Sequence, residues 1–186
     1  MKSDNQRERF ERCFHEHAPA ILGYALRRTS SADDAADVLA ETMLVAWRRV
    51  DDLPEEPETV LWLYGIARNV LLNMVRSQRR RTRLTEKLTG LRLPHLDESN
   101  HGDWVAVGQI QAVVSALPER DREILLLAST EGLSSQQIGD VLEMNSNTVR
   151  TVLHRVRREL SEQLNRIGHV HVEASRKPKD DKEVER

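Results

Sequence analysis

Asn147, Arg150, Thr151, His154, Arg155 and Arg158 recur within a segment free of Gly and Pro. At about 100° per residue they share one side of a helix. Val149, Leu153, Val156, Leu160 and Leu164 fall on the other side, within an arc of about 80°. Packing behind and Arg, Asn and Thr in front is what a helix needs to reach base edges and phosphates in a DNA groove. The residues ahead of it are suited to position it. Ser134-Ser135-Gln136-Gln137 is an S-x-x-Q capping box opening a short helix with Ile138, Val141 and Leu142 inward. Glu143-Met144-Asn145-Ser146 is a four-residue break with two N-cap candidates. A short capped helix, a tight turn and a basic-faced helix read, in that order, as a helix-turn-helix.

A second constellation lies upstream. Trp62 and Tyr64 supply aromatic surface, and Arg68, Asn69, Asn73, Arg76 and the run Arg79-Arg80-Arg81 supply donors and charge. Aromatic surface beside a cationic track can hold unpaired bases, at about 1–3 kcal/mol per stacked base. Core packing is the plainer reading for Trp62, while Tyr64 is more open. Arg79 to Arg81 read as phosphate contacts, which add affinity and salt dependence rather than specificity. A third set is acidic. Asp34, Asp37 and Glu41, spaced three and four apart, share one helix face and could meet Arg on a partner helix. A solvated acidic face is the alternative, and Trp47, on the same helix, reads as core.

The elements that carry these residues are helical throughout. Phe10, Phe14, Ala18, Ile21, Leu22, Ala25 and Leu26 predict a helix from about Asn5 to Arg28. Ser31 caps the next, with Ala35, Val38, Leu39, Thr42, Ala46 and Val50 as its stripe. A loop from Asp51 to Thr59 holds five acidic residues and two prolines. The third helix starts at about Val60, with Trp62, Ile66, Val70 and Met74 as its stripe. After a polar, acidic stretch around residues 97–103, helical signal resumes at about Trp104. The expected fold is all-α, two small helical domains joined by a flexible linker. The boundaries are 5–82 for the first domain, 83–104 for the linker, 105–167 for the second domain, and 168–186 for a disordered charged tail.

The formal net charge of −2 conceals a pattern. Residues 1–60 carry −5, 61–92 carry +7, 93–146 carry −7, 147–167 carry +3 and the tail is neutral. The two basic blocks coincide with the two candidate DNA helices. A phosphate backbone responds to such local charge, because screening acts over about 8–10 Å.

Leu117-Pro118-Glu119-Arg120-Asp121-Arg122-Glu123-Ile124-Leu125, Glu131-Gly132-Leu133-Ser134, Ile138, Leu142, Thr148-Val149-Arg150 and Arg155-Val156-Arg157 together resemble region 4 of bacterial sigma factors. Residues 34–47, from Asp34 to Trp47, resemble region 2.2 of the extracytoplasmic-function (ECF) group. Trp62-Leu63-Tyr64-Gly65-Ile66-Ala67-Arg68-Asn69 resembles the next region of that group. Response regulators share part of the region 4 pattern but lack this N-terminal half. The resemblance implies that Asp34, Asp37, Glu41 and Trp47 contact core RNA polymerase. It implies that Trp62, Tyr64, Arg68, Asn69, Asn73, Arg76, Arg79 and Arg80 read and melt a minus-ten element of promoter DNA. It assigns a minus-thirty-five element to Asn147, Thr148, Arg150, Thr151, His154, Arg155 and Arg158. An anti-sigma factor is the further partner it implies.

Three positions depart from the family pattern. Ala40 replaces a frequent Gln, and Val152 stands where many relatives place Arg or Lys. The loop at 51–59, which pockets a flipped base in the family, is strongly acidic here, so the pocket is unusual or the acids point away. The linker is too short for the middle domain of housekeeping sigma factors, which fits the ECF group.

The remaining classes are excluded on composition. The longest apolar runs are far short of the roughly 20 residues a membrane span needs, so no membrane insertion is expected. The N-terminus has no apolar signal core. With a single cysteine, Cys13, no internal disulfide or four-thiolate zinc site can form, which places the chain in a reducing cytoplasm. No phosphate loop, metal-spaced Cys/His set or nucleophile–base pair is present, so neither cofactor, metal nor enzymatic activity is expected. His169 and His171 read as exposed tail histidines. Two other readings stay open on the residues alone: a dimeric DNA-binding repressor or activator working without polymerase, and a helical adaptor that binds only proteins.

Overall fold

A computed structural model describes residues 3–89 and 112–174, with the side chains of 85–89 and 164–174 excepted. The described residues contain helices and turns and no strand. The helices are α1 (Asp4–Leu26), α2 (Ala32–Arg48), α3 (Glu58–Thr89), α4 (Glu119–Ser129), α5 (Ser135–Leu142) and α6 (Ser146–Ala174). A 3-10 turn, Val50–Asp52, comes after α2, and residues 112–116 form a helical turn ahead of α4. Two compact units divide the chain, with α1–α3 in the first and α4 and α6 in the second.

In the first unit, side chains start the helices, at Ser31 as the sequence predicts and at Ser3 where no cap was expected. Ser3 and Gln6 make a reciprocal capping box at α1. The Ser31 hydroxyl accepts from the Asp34 amide at α2, 3.0 Å away. The buried face of α1 differs from the expected stripe. It runs Cys13, His17, Ile21, Tyr24 and Ala25, while Phe14 and Leu26 are exposed. The α1 pattern is apolar over a wide arc, and the turn of the helix toward α2 and α3 selects which edge is covered. The polar His17 can sit on that face because Glu56 pairs with it.

On α3 the centre likewise shifts. Leu63, Tyr64, Ile66, Ala67 and Leu71 are buried, whereas Trp62, Val70 and Met74 are half-buried. Tyr64 packs on Tyr24 with ring centroids 5.2 Å apart. Burying two aromatic rings against each other contributes about 0.5–1.5 kcal/mol beyond area alone. Trp47, half-buried, packs edge-on against Phe10 at 5.2 Å.

The second unit has a core of Leu117, Leu125 and Val156, flanked by Val114, Val152 and Leu160. Val152 therefore packs inward, as its angle on the helix implies. The Arg122 guanidinium donates to the carbonyls of Ser115 and Leu117 at 3.1 and 3.3 Å, satisfying acceptors that the preceding helical turn leaves open. α5 opens on the predicted capping box, with Gln137 and Ser134 bonded in both directions. It closes with Glu143 at φ 54° and a bond from the Met144 amide to the Gly139 carbonyl, a Schellman arrangement. Asn145 then caps α6, its side chain accepting from the Asn147 amide at 2.8 Å.

α6 continues through Gly168 to Ala174, where the sequence pattern placed a structureless tail from 168. Once a helix is nucleated, each further residue adds a backbone bond at little cost, so its end need not coincide with the end of its apolar stripe. α3 likewise runs to Thr89, past the expected linker start at 83, and residues 90–111, which hold the rest of that linker and the start of the expected second domain, lie outside the described residues, as do 175–186.

Candidate functional site

α6 presents a polar face. Asn147, Thr148, Arg150, Thr151, His154, Arg155, Arg157 and Arg158 are exposed, while Val149, Leu153 and Val156 are buried behind them. Asn147 accepts from Arg150 at 2.8 Å through its side chain and from Thr151 at 2.9 Å through its carbonyl. The start of the face is thus preordered, which reduces the entropy lost when it meets a ligand. Ser135, Arg150, Leu153, His154, Arg157 and Arg158 line a shallow hollow on this face. A cationic hollow floored by one leucine suits a phosphate or a base edge with its methyl group.

Arg155 differs from the other cations of the face. Its guanidinium pairs with Asp121, a buried carboxylate on α4. Arg155 therefore holds α6 to α4, and only the exposed remainder of its guanidinium is open to another partner. Asp121 was not singled out from the sequence, because a carboxylate in a charged run such as Glu119-Arg120-Asp121-Arg122-Glu123 reads as surface.

α3 carries the second cationic face. Trp62, Asn69, Asn73, Arg76 and Arg80 lie within about 60° of one another around the helix, with Arg68 and Arg79 on the flank. Asn69, Asn73, Arg76, Arg79 and Arg80 are exposed, and Arg68 is half-buried. Trp62 is half-buried beneath the Arg49 guanidinium, 5.4 Å from its ring centroid. Tyr64 lies about 200° round the helix from Trp62 and is 5% exposed. The expectation that Tyr64 offers an open stacking surface is corrected on that ground: its ring is inside, against Tyr24.

α2 presents Asp37 and Glu41 on its exposed side, and Leu44, 41% exposed, extends the same stripe. Asp34 is engaged locally, accepting from the Ser31 hydroxyl at 2.8 Å while its amide uses the Ser31 side chain. Periodicity did not select Leu44; its signal was a large apolar residue seven positions after Asp37.

The acidic loop between α2 and α3 is fastened along α1 and to its own ends. Gln6 donates to Asp51, and Arg9 donates to the Leu53 carbonyl at 2.7 Å. His17 Nε2 meets Glu56 Oε1 at 2.7 Å. Arg49 pairs with Asp52 at 3.0 Å, and Thr59 donates to the Pro54 carbonyl at 3.0 Å. Three of the five acids thus meet protein partners, though all five remain exposed.

Cys13 lies buried beside this loop. Burial raises its thiol pKa to about 11, and the nearby Glu56 and Glu16 charges push the same way. It is a protonated, unreactive thiol at neutral pH.

Comparison with known proteins matches residues 13–81 to Sigma-70 region 2 and residues 108–160 to Sigma-70 region 4. The chain is 32% identical over 154 residues to the ECF RNA polymerase sigma factor SigE of Mycolicibacterium smegmatis, covering 80% of this chain and 59% of that protein. It is 30% identical over 159 residues to the ECF RNA polymerase sigma factor SigL of Mycobacterium tuberculosis, covering 83% of this chain and 88% of that protein. Among solved structures, the sigma factor RpoE of Bartonella quintana, crystallised with the anti-sigma factor NepR, aligns with a TM-score of 0.62 at 22% identity. That alignment covers 84% of this chain and 96% of the other.

Proposed function

The chain belongs to the ECF family of RNA polymerase sigma factors, and from that premise we propose that it binds core RNA polymerase and directs it to promoters with matching minus-thirty-five and minus-ten elements. The observation that carries the reading is the pair of exposed cationic helix faces, on α3 and α6, in one chain. Two such faces fit two separate contacts on one DNA, where a dimeric repressor would need one face per protomer.

Residues 5–82 form the polymerase-binding and strand-opening domain, and residues 105–167 form the minus-thirty-five domain. In the first, Asp37 and Glu41 meet cationic side chains of the polymerase, with Leu44 adding an apolar contact beside them. Asp34 supports this face by fixing the start of α2, and Trp47 by packing α2 on α1. The stripe of Asn69, Asn73, Arg76 and Arg80 tracks the separated strand, with Arg68 and Arg79 beside it. Trp62 is the ring placed to meet a base.

In the second domain, Arg150, Thr151 and His154 take base edges and phosphates, with Asn147, Thr148 and Arg158 at the rim. The chain makes and breaks no covalent bond; nucleotide addition remains with the polymerase. It works in the cytoplasm, where the polymerase is. An anti-sigma protein controls it, as NepR accompanies the Bartonella RpoE.

A labelled promoter fragment tests this directly. The fragment is retarded by core polymerase plus the chain, and by neither alone, at moderate salt. Asp37→Lys combined with Glu41→Lys abolishes the joint complex while leaving the fold intact. Retardation by the chain alone, unaffected by these charge reversals, contradicts the proposal.

A further inference from the structure

We infer that Glu16, His17 and Glu56 form a binding site for a divalent transition-metal ion of the zinc class, which clamps the 51–59 loop onto α1. One ligand-capable atom from each of Glu16, His17 and Glu56 lies within 4.8 Å of the others. Zinc binds nitrogen and carboxylate oxygen at about 2.0–2.2 Å. Donors around a tetrahedral ion at that bond length are about 3.4 Å apart, so the exposed glutamates must swing inward by up to about 1.4 Å, within reach of a side-chain rotation.

His17 is buried, and its ring nitrogen already faces the Glu56 carboxylate at 2.7 Å. That hydrogen bond gives way when an ion enters between the two atoms. A buried imidazole beside two carboxylates is a mixed nitrogen and oxygen set. Magnesium and calcium favour oxygen alone, whereas zinc and cobalt accept this mixture. The set also spans two elements, α1 and the loop, which an isolated surface cluster would not.

The effect would be local. The loop is already fastened by Gln6, Arg9 and Arg49, and the ion adds a tie at Glu56, the acid nearest the start of α3 among those with a partner. Resting on the sigma-factor reading, this rigidifies the loop next to the strand-opening helix.

Cobalt(II) titration of the full metal-free chain tests the site without polymerase or DNA, so its failure is separate from failure of the sigma-factor reading. One ion per chain binds, with visible bands of tetrahedral cobalt, and zinc displaces it. Glu56→Gln, at a half-exposed position where the fold tolerates an amide, weakens binding at least tenfold. His169→Asn with His171→Asn changes nothing. A chain that binds no cobalt, or keeps its affinity in E56Q, overturns the site. Loss of binding in the tail double variant does so as well.

Discussion

Asp121 and Arg155 are paired across α4 and α6, the carboxylate almost fully enclosed and the guanidinium about half in solvent. An enclosed carboxylate left without its partner costs about 1–3 kcal/mol. Asp121→Asn and Arg155→Met should each lower the melting temperature of the second unit. Their double-mutant cycle should show a coupling of about 0.5–3 kcal/mol. Strictly additive losses, with the R155M effect confined to DNA affinity, would make Arg155 a DNA contact and nothing else.

Tyr64 is a packing residue, so its substitutions should act on stability. Tyr64→Ala opens a cavity against Tyr24 and should cost about 3–5 kcal/mol. Tyr64→Phe keeps the ring in place and should leave strand opening intact, measured by the fluorescence of a base analogue in the minus-ten element. A Tyr64→Phe variant that folds normally but no longer opens DNA would restore the stacking role.

The role proposed for the exposed α3 cations is phosphate contact. Arg76→Ala and Arg80→Ala should each weaken the polymerase–promoter complex to a similar degree on different promoters. Each should also reduce the slope of log affinity against log salt by about one. A loss confined to one promoter sequence would instead indicate base readout.

Cys13 offers a pH test. Its raised pKa keeps the native thiol protonated between the ordinary value of 9.0 and about 11, a range in which the unfolded chain has lost that proton. Native stability should therefore fall as pH rises through this window, since the native state holds the proton longer. With chelator present, iodoacetamide at pH 8 should alkylate the native thiol about 100-fold more slowly than the denatured one, from the two-unit difference alone. Equal rates would show that Cys13 is not enclosed.

Much of this architecture is legible in the residue pattern, and the misses share a cause. Ser31, the Ser134–Gln137 box and Asn145 are local signals, and the structure uses each as a cap. The polar face of α6 is equally local, since periodicity alone separates Val149, Leu153 and Val156 from Arg150 and His154. What periodicity does not supply is the centre of a broad apolar arc. Phe14 is exposed while Cys13 and His17 are covered, because α2, α3 and the loop choose the edge. The ties of the acidic loop also escape the sequence. Gln6–Asp51 and His17–Glu56 join residues about 40 positions apart, and nothing in either segment marks the other. Asp121 escapes for the same reason: its partner is 34 residues away.

Run-off transcription bears on polymerase-dependent promoter recognition with the fewest intervening steps. Purified core polymerase would be supplied with a pool of genomic promoter fragments, with and without the full chain. Discrete transcripts from defined start sites should appear with the chain and vanish with Asp37→Lys/Glu41→Lys. Transcription that is unchanged by the chain, while the chain alone retards the same fragments, would contradict the sigma-factor role and leave a DNA-binding protein that works without polymerase.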